Sequence, residues 1–247
     1  MTEEASPRTD AKLTVRYALS HEAWNGFQQF LLDLIAQHQA ARICEVGGGA
    51  NPALRPDHVK ASGLDYTVLD ISREELDKAP EGFRKVQADI GGTVERDDAF
   101  DLIVSKMLAE HIADPVRYHT NVHKLLRPGG IAFHFFPTLY SPPFVINRLL
   151  PAAVTSRLLK LVESRDLEGT EGKFLAYYRW CRGPTTRQLG RFEGLGYEVL
   201  EYRGFFGARG YYRSLGLAWL DDWISRKLVE HPAPFLTSYA YVVLKRP

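Results

Sequence analysis

The sequence predicts an α/β protein built on a doubly wound, mostly parallel sheet. Three observations carry that expectation. Residues 43–52 read as a strand, a glycine loop and a helix start. Further short apolar runs follow at intervals, several ending in an acidic residue, with helical patterns between them. A chain of 247 residues with 45% hydrophobic content can bury the core such a sheet requires.

The loop is the most informative segment. Ile43-Cys44-Glu45-Val46 is a short apolar run with one acid, and Gly47-Gly48-Gly49 follow it. Glycine lets a chain turn sharply off a strand and approach a ligand with no Cβ in the way. Pro52 stands where a helix can begin, at a position where its missing N–H costs nothing. That is the plan of a nucleotide site in a doubly wound sheet. The dinucleotide fingerprint G-x-G-x-x-G fails, because the sixth position counted from Gly47 is Pro52. The pattern G-x-x-x-x-G-K-[ST] is absent as well.

What stands here is E-x-G-x-G-x-N, from Glu45 to Asn51. It resembles the first motif of the class I S-adenosylmethionine (SAM)-dependent methyltransferases of small-molecule type, with Asn51 in place of a last glycine. Asn tolerates a left-handed backbone better than most residues, so the departure is mild. Later segments fit the same family in order. Leu64 to Asp70 reads as a second strand with an acidic end, and Phe83 to Ile90 as a third. Phe100 to Ser105 is close to the family's F-D-L-I/V-V-S, and Lys106 to Pro115 (KMLAEHIADP) to its LEHV-DP stretch. Asp114 caps a helix with Pro115 at its first position. Leu125 to Gly130 then matches L-x-P-G-G before a fifth strand, Ile131 to Phe136. The resemblance implies a Rossmann-like seven-stranded sheet in the order 3-2-1-4-5-7-6, with the last strand antiparallel. It implies SAM as cofactor, held by Glu45, Gly47, Gly48, Gly49, Asn51, Asp70, Ile71, Asp89, Ile90 and Ser105.

Composition narrows the partners. A net charge of +1 gives no clustered basic face, so nucleic acid is not an expected partner. Two distant cysteines, Cys44 and Cys181, suggest no disulfide framework, and a reducing cytoplasm is the simplest home. The polar stretch MTEEASPRTD is no signal peptide, and residues 1–19 read as a disordered lead-in. Residues 20–136 form the SAM-binding half, beginning with an amphipathic helix. Ser20 is its candidate cap, and Trp24, Phe27, Phe30, Leu31, Leu34 and Ile35 recur at helical steps. Tyr17 and Trp24 are candidate lid residues, since the family's N-terminal helix often covers the cofactor.

Residues 137–183 form an excursion on the substrate side, and 184–247 complete the sheet. Thr185-x-x-Gln188 resembles a capping box, with Gly196 as the stop of its helix. Tyr197 to Phe206 is a sixth strand, Tyr211 to Lys227 a helix, and Leu236 to Lys245 the last strand. Ser141-Pro142-Pro143-Phe144 resembles the motif of amino methyltransferases but follows the wrong strand, so it reads as a turn. Prolines exclude a membrane span around residues 144–162. That run reads as a cover over a pocket, and an interfacial helix meeting a membrane or lipid is the weaker reading. Between Phe174 and Pro184, aromatics interleave with arginines, which suits stacking and carboxylate or phosphate grip. Tyr140, Tyr178 and Arg179 are the candidate acceptor-binding residues there.

The chemistry then expected is in-line displacement at the sulfonium methyl by a small-molecule acceptor, sugar-linked or a secondary metabolite. His111 is the candidate general base, because imidazole takes a proton near neutral pH. His134, within a strand, reads as a core residue. No metal-ligand spacing is visible. Two alternatives stand beside this reading: a noncatalytic SAM-binding scaffold, and a nucleic-acid methyltransferase. Oligomeric state is left open.

Overall fold

A computed structural model describes residues 13–93, 99–139, 175–208 and 218–247. Its strands are β1 (Thr14–Leu19), β2 (Arg42–Val46), β3 (Asp65–Asp70), β4 (Arg84–Gln87), β5 (Phe100–Lys106), β6 (Leu126–Pro137), β7 (Glu198–Phe206) and β8 (Tyr239–Lys245). They form one sheet in the order β1-β7-β8-β6-β5-β2-β3-β4. Only the pairings of β8, with β6 and with β7, are antiparallel. Setting β1 aside, this is the expected seven-strand order, read from the opposite edge.

The eighth strand is a correction. Residues 14–19, expected within a disordered lead-in, pair in parallel with β7 from Thr14↔Glu201 to Leu19↔Phe206. The run TVRYAL is β-branched and aromatic enough to extend an edge that β7 leaves open. The rest of the excursion over 140–174, with Tyr140 and the two proline-containing motifs, lies outside the described residues. So does the start of the helix expected from Tyr211.

Six helices connect the strands: α1 (Ser20–Gln37), α2 (Pro56–Ala61), α3 (Arg73–Lys78), α4 (Pro115–Leu125), α5 (Thr186–Glu193) and α6 (Ala218–Glu230). None of the helices, among the described residues, is long and apolar enough to cross a membrane. α1 buries Ala23, Phe27, Leu31 and Leu34, at spacings of three and four that make one face. Phe27 stacks on Phe133 at 5.2 Å and Phe30 on Tyr241 at 5.4 Å, which locks α1 across β6 and β8. Its cap is Leu19 rather than Ser20, and the Leu19 N–H is taken by the Glu22 carboxylate at 2.9 Å. Asp114 caps α4 as expected, accepting from Arg117 N–H at 3.1 Å, and Thr185 caps α5. α5 ends at Gly194; Gly196 is the left-handed residue just beyond it, at φ +89°.

The two ends of the sheet differ in character. At the amino end, Asp101 accepts from the N–H groups of Ala41 and Arg42 and from the guanidiniums of Arg42 and Arg127. Burial opposes its charge, but those donors outweigh it and hold the carboxyl at about 2. This end is fully satisfied. Toward the carboxyl end, polar groups are buried with partners missing. Ser105 Oγ lies 2.8 Å from His134 Nδ1 and accepts from Tyr118 Oη at 3.2 Å. His134 Nε2 and His119 Nδ1 are buried without a partner, their rings 5.2 Å apart.

Those two histidines predict how stability depends on pH. Burial lowers the His134 pKa to about 3, and burial together with His134 lowers that of His119. Both stay neutral in the fold, whereas an unfolded histidine titrates near 6.5. Their contribution is complete above about pH 6.5 and is lost as pH falls from there toward 3, because the unfolded chain then binds more protons. Each should cost about 1.4 kcal/mol per pH unit in that window. Melting curves from pH 7.5 to 4.5 should fall steeply; a flat melting temperature down to pH 5 would contradict the neutral pair.

Candidate functional site

The glycine turn leaves β2 at Val46. Gly47 (φ +74°) donates its N–H to the Leu69 carbonyl at 2.8 Å, and Gly49 is also left-handed at φ +43°. Asn51 is not left-handed; it closes a turn by donating its N–H to the Gly48 carbonyl at 3.1 Å. The helix expected at Pro52 begins only at Pro56 and lasts six residues. The reason is the carboxylate below. Glu45, 2% exposed, accepts from the Ala53 N–H at 2.8 Å and from Tyr66 Oη at 2.7 Å through one oxygen. That bond takes the Ala53 N–H for the loop. Burial raises the Glu45 pKa, opposed by those two bonds and by the Lys106 charge.

Glu45 is therefore reassigned from ligand contact to holding the loop. The glycines are explained by the same closure. A Cβ on Gly48 would stand 2.9 Å from Glu45 Cδ, and one on Gly47 2.9 Å from Leu108 Cδ1. One on Gly49 would stand 3.2 Å from both Asp70 Oδ2 and Glu75 Cβ. Protein atoms, not an open cofactor space, fill the positions next to these glycines.

The next two strand ends supply acceptors. Asp70 ends β3; its Oδ1 holds the Ser72 N–H at 2.9 Å, and its Oδ2 is the oxygen turned toward Gly49. Ile71 follows, 56% exposed. Asp89, past the end of β4, holds the Gly91 N–H at 2.8 Å through Oδ1. Ile90 is buried, and its carbonyl, with that of Gly92, accepts from Asn121 Nδ2 at 2.7 and 2.9 Å. Only the backbone of Ile90 remains to face a ligand. Asn121 on α4 fastens this loop, and nothing in the sequence pattern singled it out. Ser105 is a further correction: it is wholly buried in the His134–Tyr118 network, so its side chain cannot reach a cofactor.

At the end of β5, Lys106 Nζ sits 5.4 Å from the Trp24 ring and 5.0 Å from the Phe27 ring. Trp24, 42% exposed, packs edge-on against Phe135 and Tyr239, so it stands at the rim of this end. Tyr17 does not join it. It stacks on Phe206 in β1 and lines a groove of about 580 Å³ with Arg16, His21 and Phe30. β1 lies five strands from β2, which at about 4.8 Å per strand places Tyr17 some 24 Å from the glycine turn.

Past β5 the chain makes a 3-10 turn, Ala109–His111. His111 Nδ1 lies 3.3 Å from the Leu175 carbonyl, and its Nε2 lies 3.9 Å from Glu110 Oε1. Glu110 is 4% exposed, with Oε2 buried and unpartnered, and burial pushes its pKa up to about 8. The Glu110 carbonyl accepts from the N–H groups of both Tyr177 and Tyr178. Tyr178 is therefore core, 3% exposed, rather than a pocket residue. Arg179 donates from Nη1 to the Ala113 carbonyl at 2.8 Å, which pins its segment to the loop before α4. Met107, Tyr178 and Trp180 all have positive φ, a concentration of backbone strain at one end of the sheet.

A methyltransferase domain family model matches residues 19–202. The chain belongs to this methyltransferase family. Among curated proteins it is 31% identical over 98 residues to a ubiquinone biosynthesis O-methyltransferase of Rhizobium leguminosarum bv. trifolii, a match covering 38% of this chain and 32% of that protein. The chain spans between 29% and 40% of the length of the curated relatives it matches. Its fold is that of solved structures at low identity. Geranyl diphosphate C-methyltransferase from Streptomyces coelicolor A3(2) gives a TM-score of 0.56 at 13% identity, covering 92% of this chain and 80% of that one. An S-adenosylmethionine dependent methyltransferase from Mesorhizobium loti gives 0.54 at 17%, covering 83% and 90%.

The loop anchor is testable by itself. Glu45→Ala strands the Ala53 N–H and the buried Tyr66 hydroxyl, each worth about 1–3 kcal/mol when left unsatisfied. Thermal unfolding should show a clear loss, with Glu45→Gln intermediate because its amide oxygen still accepts. Wild-type melting of Glu45→Ala would mean that the carboxylate does not hold the turn.

Proposed function

We propose that this chain transfers the methyl group of SAM to a hydroxyl-bearing small molecule. The observation that carries the reading is Asp70: a carboxylate ending β3, with Oδ2 turned toward a left-handed glycine turn and exposed Ile71 beside it. Such a carboxylate accepts from both hydroxyls of a ribose, and Ile71 offers an apolar surface for a base. Asp89 adds a second acceptor at the neighbouring strand end. SAM, when bound, supplies an electrophilic sulfonium methyl.

The protein's part is placement and proton handling. Asp70, Asp89 and the turn at Gly47–Gly49 fix the donor, while Trp24 and Lys106 form the rim on the β5 side. Holding the acceptor in line with the methyl contributes several kcal/mol through orientation alone. His111, a third exposed on the turn after β5, takes the hydroxyl proton. The partial likeness to an O-methyltransferase supports a hydroxyl acceptor. The near-neutral chain, with net charge +1, supports a small molecule over nucleic acid. Buried free cysteines, Cys44 and Cys181, suit a reducing cytoplasm.

Asp70→Ala removes the acceptor for two hydroxyls, bonds to a charged group worth about 1.5–3 kcal/mol each. Titration calorimetry should show SAM affinity falling at least tenfold in a protein that melts normally. Unchanged affinity in the folded variant would reject the assignment, and labelled SAM with no transfer to any extract component would reject turnover.

A further inference from the structure

Glu110 is a carboxyl group without the company such groups normally keep. It sits on the turn after β5, two residues beyond Leu108, whose side chain closes over Gly47. Its Oε2 is buried and unpartnered, and its Oε1 lies 3.9 Å from His111 Nε2. The other groups facing it are Tyr118 from α4 and Cys181 from the returning segment, both of which burial keeps protonated. The cation on that side, Arg182, donates to the carbonyls of Tyr178 and Cys181. An ionised carboxylate here would be costly, since burial of an unbalanced charge disfavours it.

His111 supplies the complementary half. Its Nδ1 is 3.3 Å from the Leu175 carbonyl, a position that suits an N–H and assigns the proton to Nδ1. The lone pair of Nε2 then faces Glu110. The two side chains together hold one exchangeable proton in the resting protein.

We propose that Glu110 and His111 act as a proton-sharing pair that gives up its proton when the cationic methyl donor binds, so that the base exists only in the donor-bound enzyme. The inference rests on the functional reading above and goes beyond it. A positive sulfonium entering a poorly hydrated site favours the ionised carboxylate. The shared proton then leaves to solvent past the exposed edge of His111. With Glu110 ionised, Nε2 is free to take the acceptor's hydroxyl proton: the O–H bond breaks and an N–H bond forms. The acceptor oxygen bonds to the methyl carbon as the C–S bond breaks and its electron pair stays on sulfur. The pair again holds one proton, and the product sulfur is neutral, so the resting state is restored without another reagent. Glu110 is a positioning residue in this cycle and His111 the base. Burial raising the Glu110 pKa to about 8 agrees with a protonated resting state.

The test needs no acceptor. Titrating SAM and, separately, S-adenosylhomocysteine at pH 7 in phosphate and in Tris reads proton release from the difference in heat. The pair predicts release approaching one proton per SAM, little for the neutral thioether, and loss of the difference at pH 9 or above. Glu110→Gln should bind both ligands without the differential release. It should also melt higher than wild type above pH 8, where the buried carboxyl would be forced to ionise. Equal release for both ligands in the wild type, or release unchanged in Glu110→Gln, overturns the pair alone. Failure of both ligands to bind overturns the functional reading and the pair with it. The wild-type comparison decides the matter even if Glu110→Gln does not fold.

Discussion

Everything at the carboxyl end of the sheet depends on one buried carboxylate. Glu45 points back from the last turn of β2 and ties the loop at Ala53 to the strand residue Tyr66. Without that tie the chain after Gly49 could begin its helix at Pro52. With it, residues 51–55 stay in a loop and the helix starts at Pro56. The three glycines are consequences of the same closure, because any Cβ on them would meet Leu108, Glu45 or Asp70. The turn is thus shaped by contacts within the protein before any ligand arrives. Such preorganisation lowers the ordering cost of binding.

The sheet shows a division of labour between its ends. Asp101 at the amino end has a donor for each of its oxygens and secures the crossing of β2, β5 and β6. The carboxyl end carries the unsatisfied groups: Glu110 Oε2, His119 Nδ1 and His134 Nε2. Three of the four non-glycine residues with positive φ cluster there too, the fourth being Gln39 after α1. Unsatisfied polar groups and backbone strain both cost stability, and they persist together where function requires an arrangement the fold alone would not choose.

Much of this was legible in the residues. Strand ends at Asp70 and Lys106, the Asp114–Pro115 cap and the order of seven strands all follow from local patterns or from family resemblance. What escaped is what depends on pairing between distant segments. The strand at 14–19 exists because β7 offers an edge, which no local signal announces. Ser105 reads as a strand-end hydroxyl, yet His134 and Tyr118 from other elements draw it inside. Tyr178 and Arg179 read as recognition residues, while the Glu110 and Ala113 carbonyls make them anchors. Glu110 itself passed as one letter of a motif, since only burial distinguishes it from a solvated acid. Asn121 was hidden for the same reason: its partners are backbone carbonyls about thirty positions away.

The central claim is that the turn after β2 and the ends of β3, β4 and β5 form a single ligand site. Hydrogen–deuterium exchange with and without S-adenosylhomocysteine tests it most directly. The account predicts slowed exchange at residues 47–55, 70–72, 89–92 and 106–111, with residues 14–19 unchanged. Protection centred instead on the groove between α1 and β1, with the glycine turn exchanging as before, would contradict it.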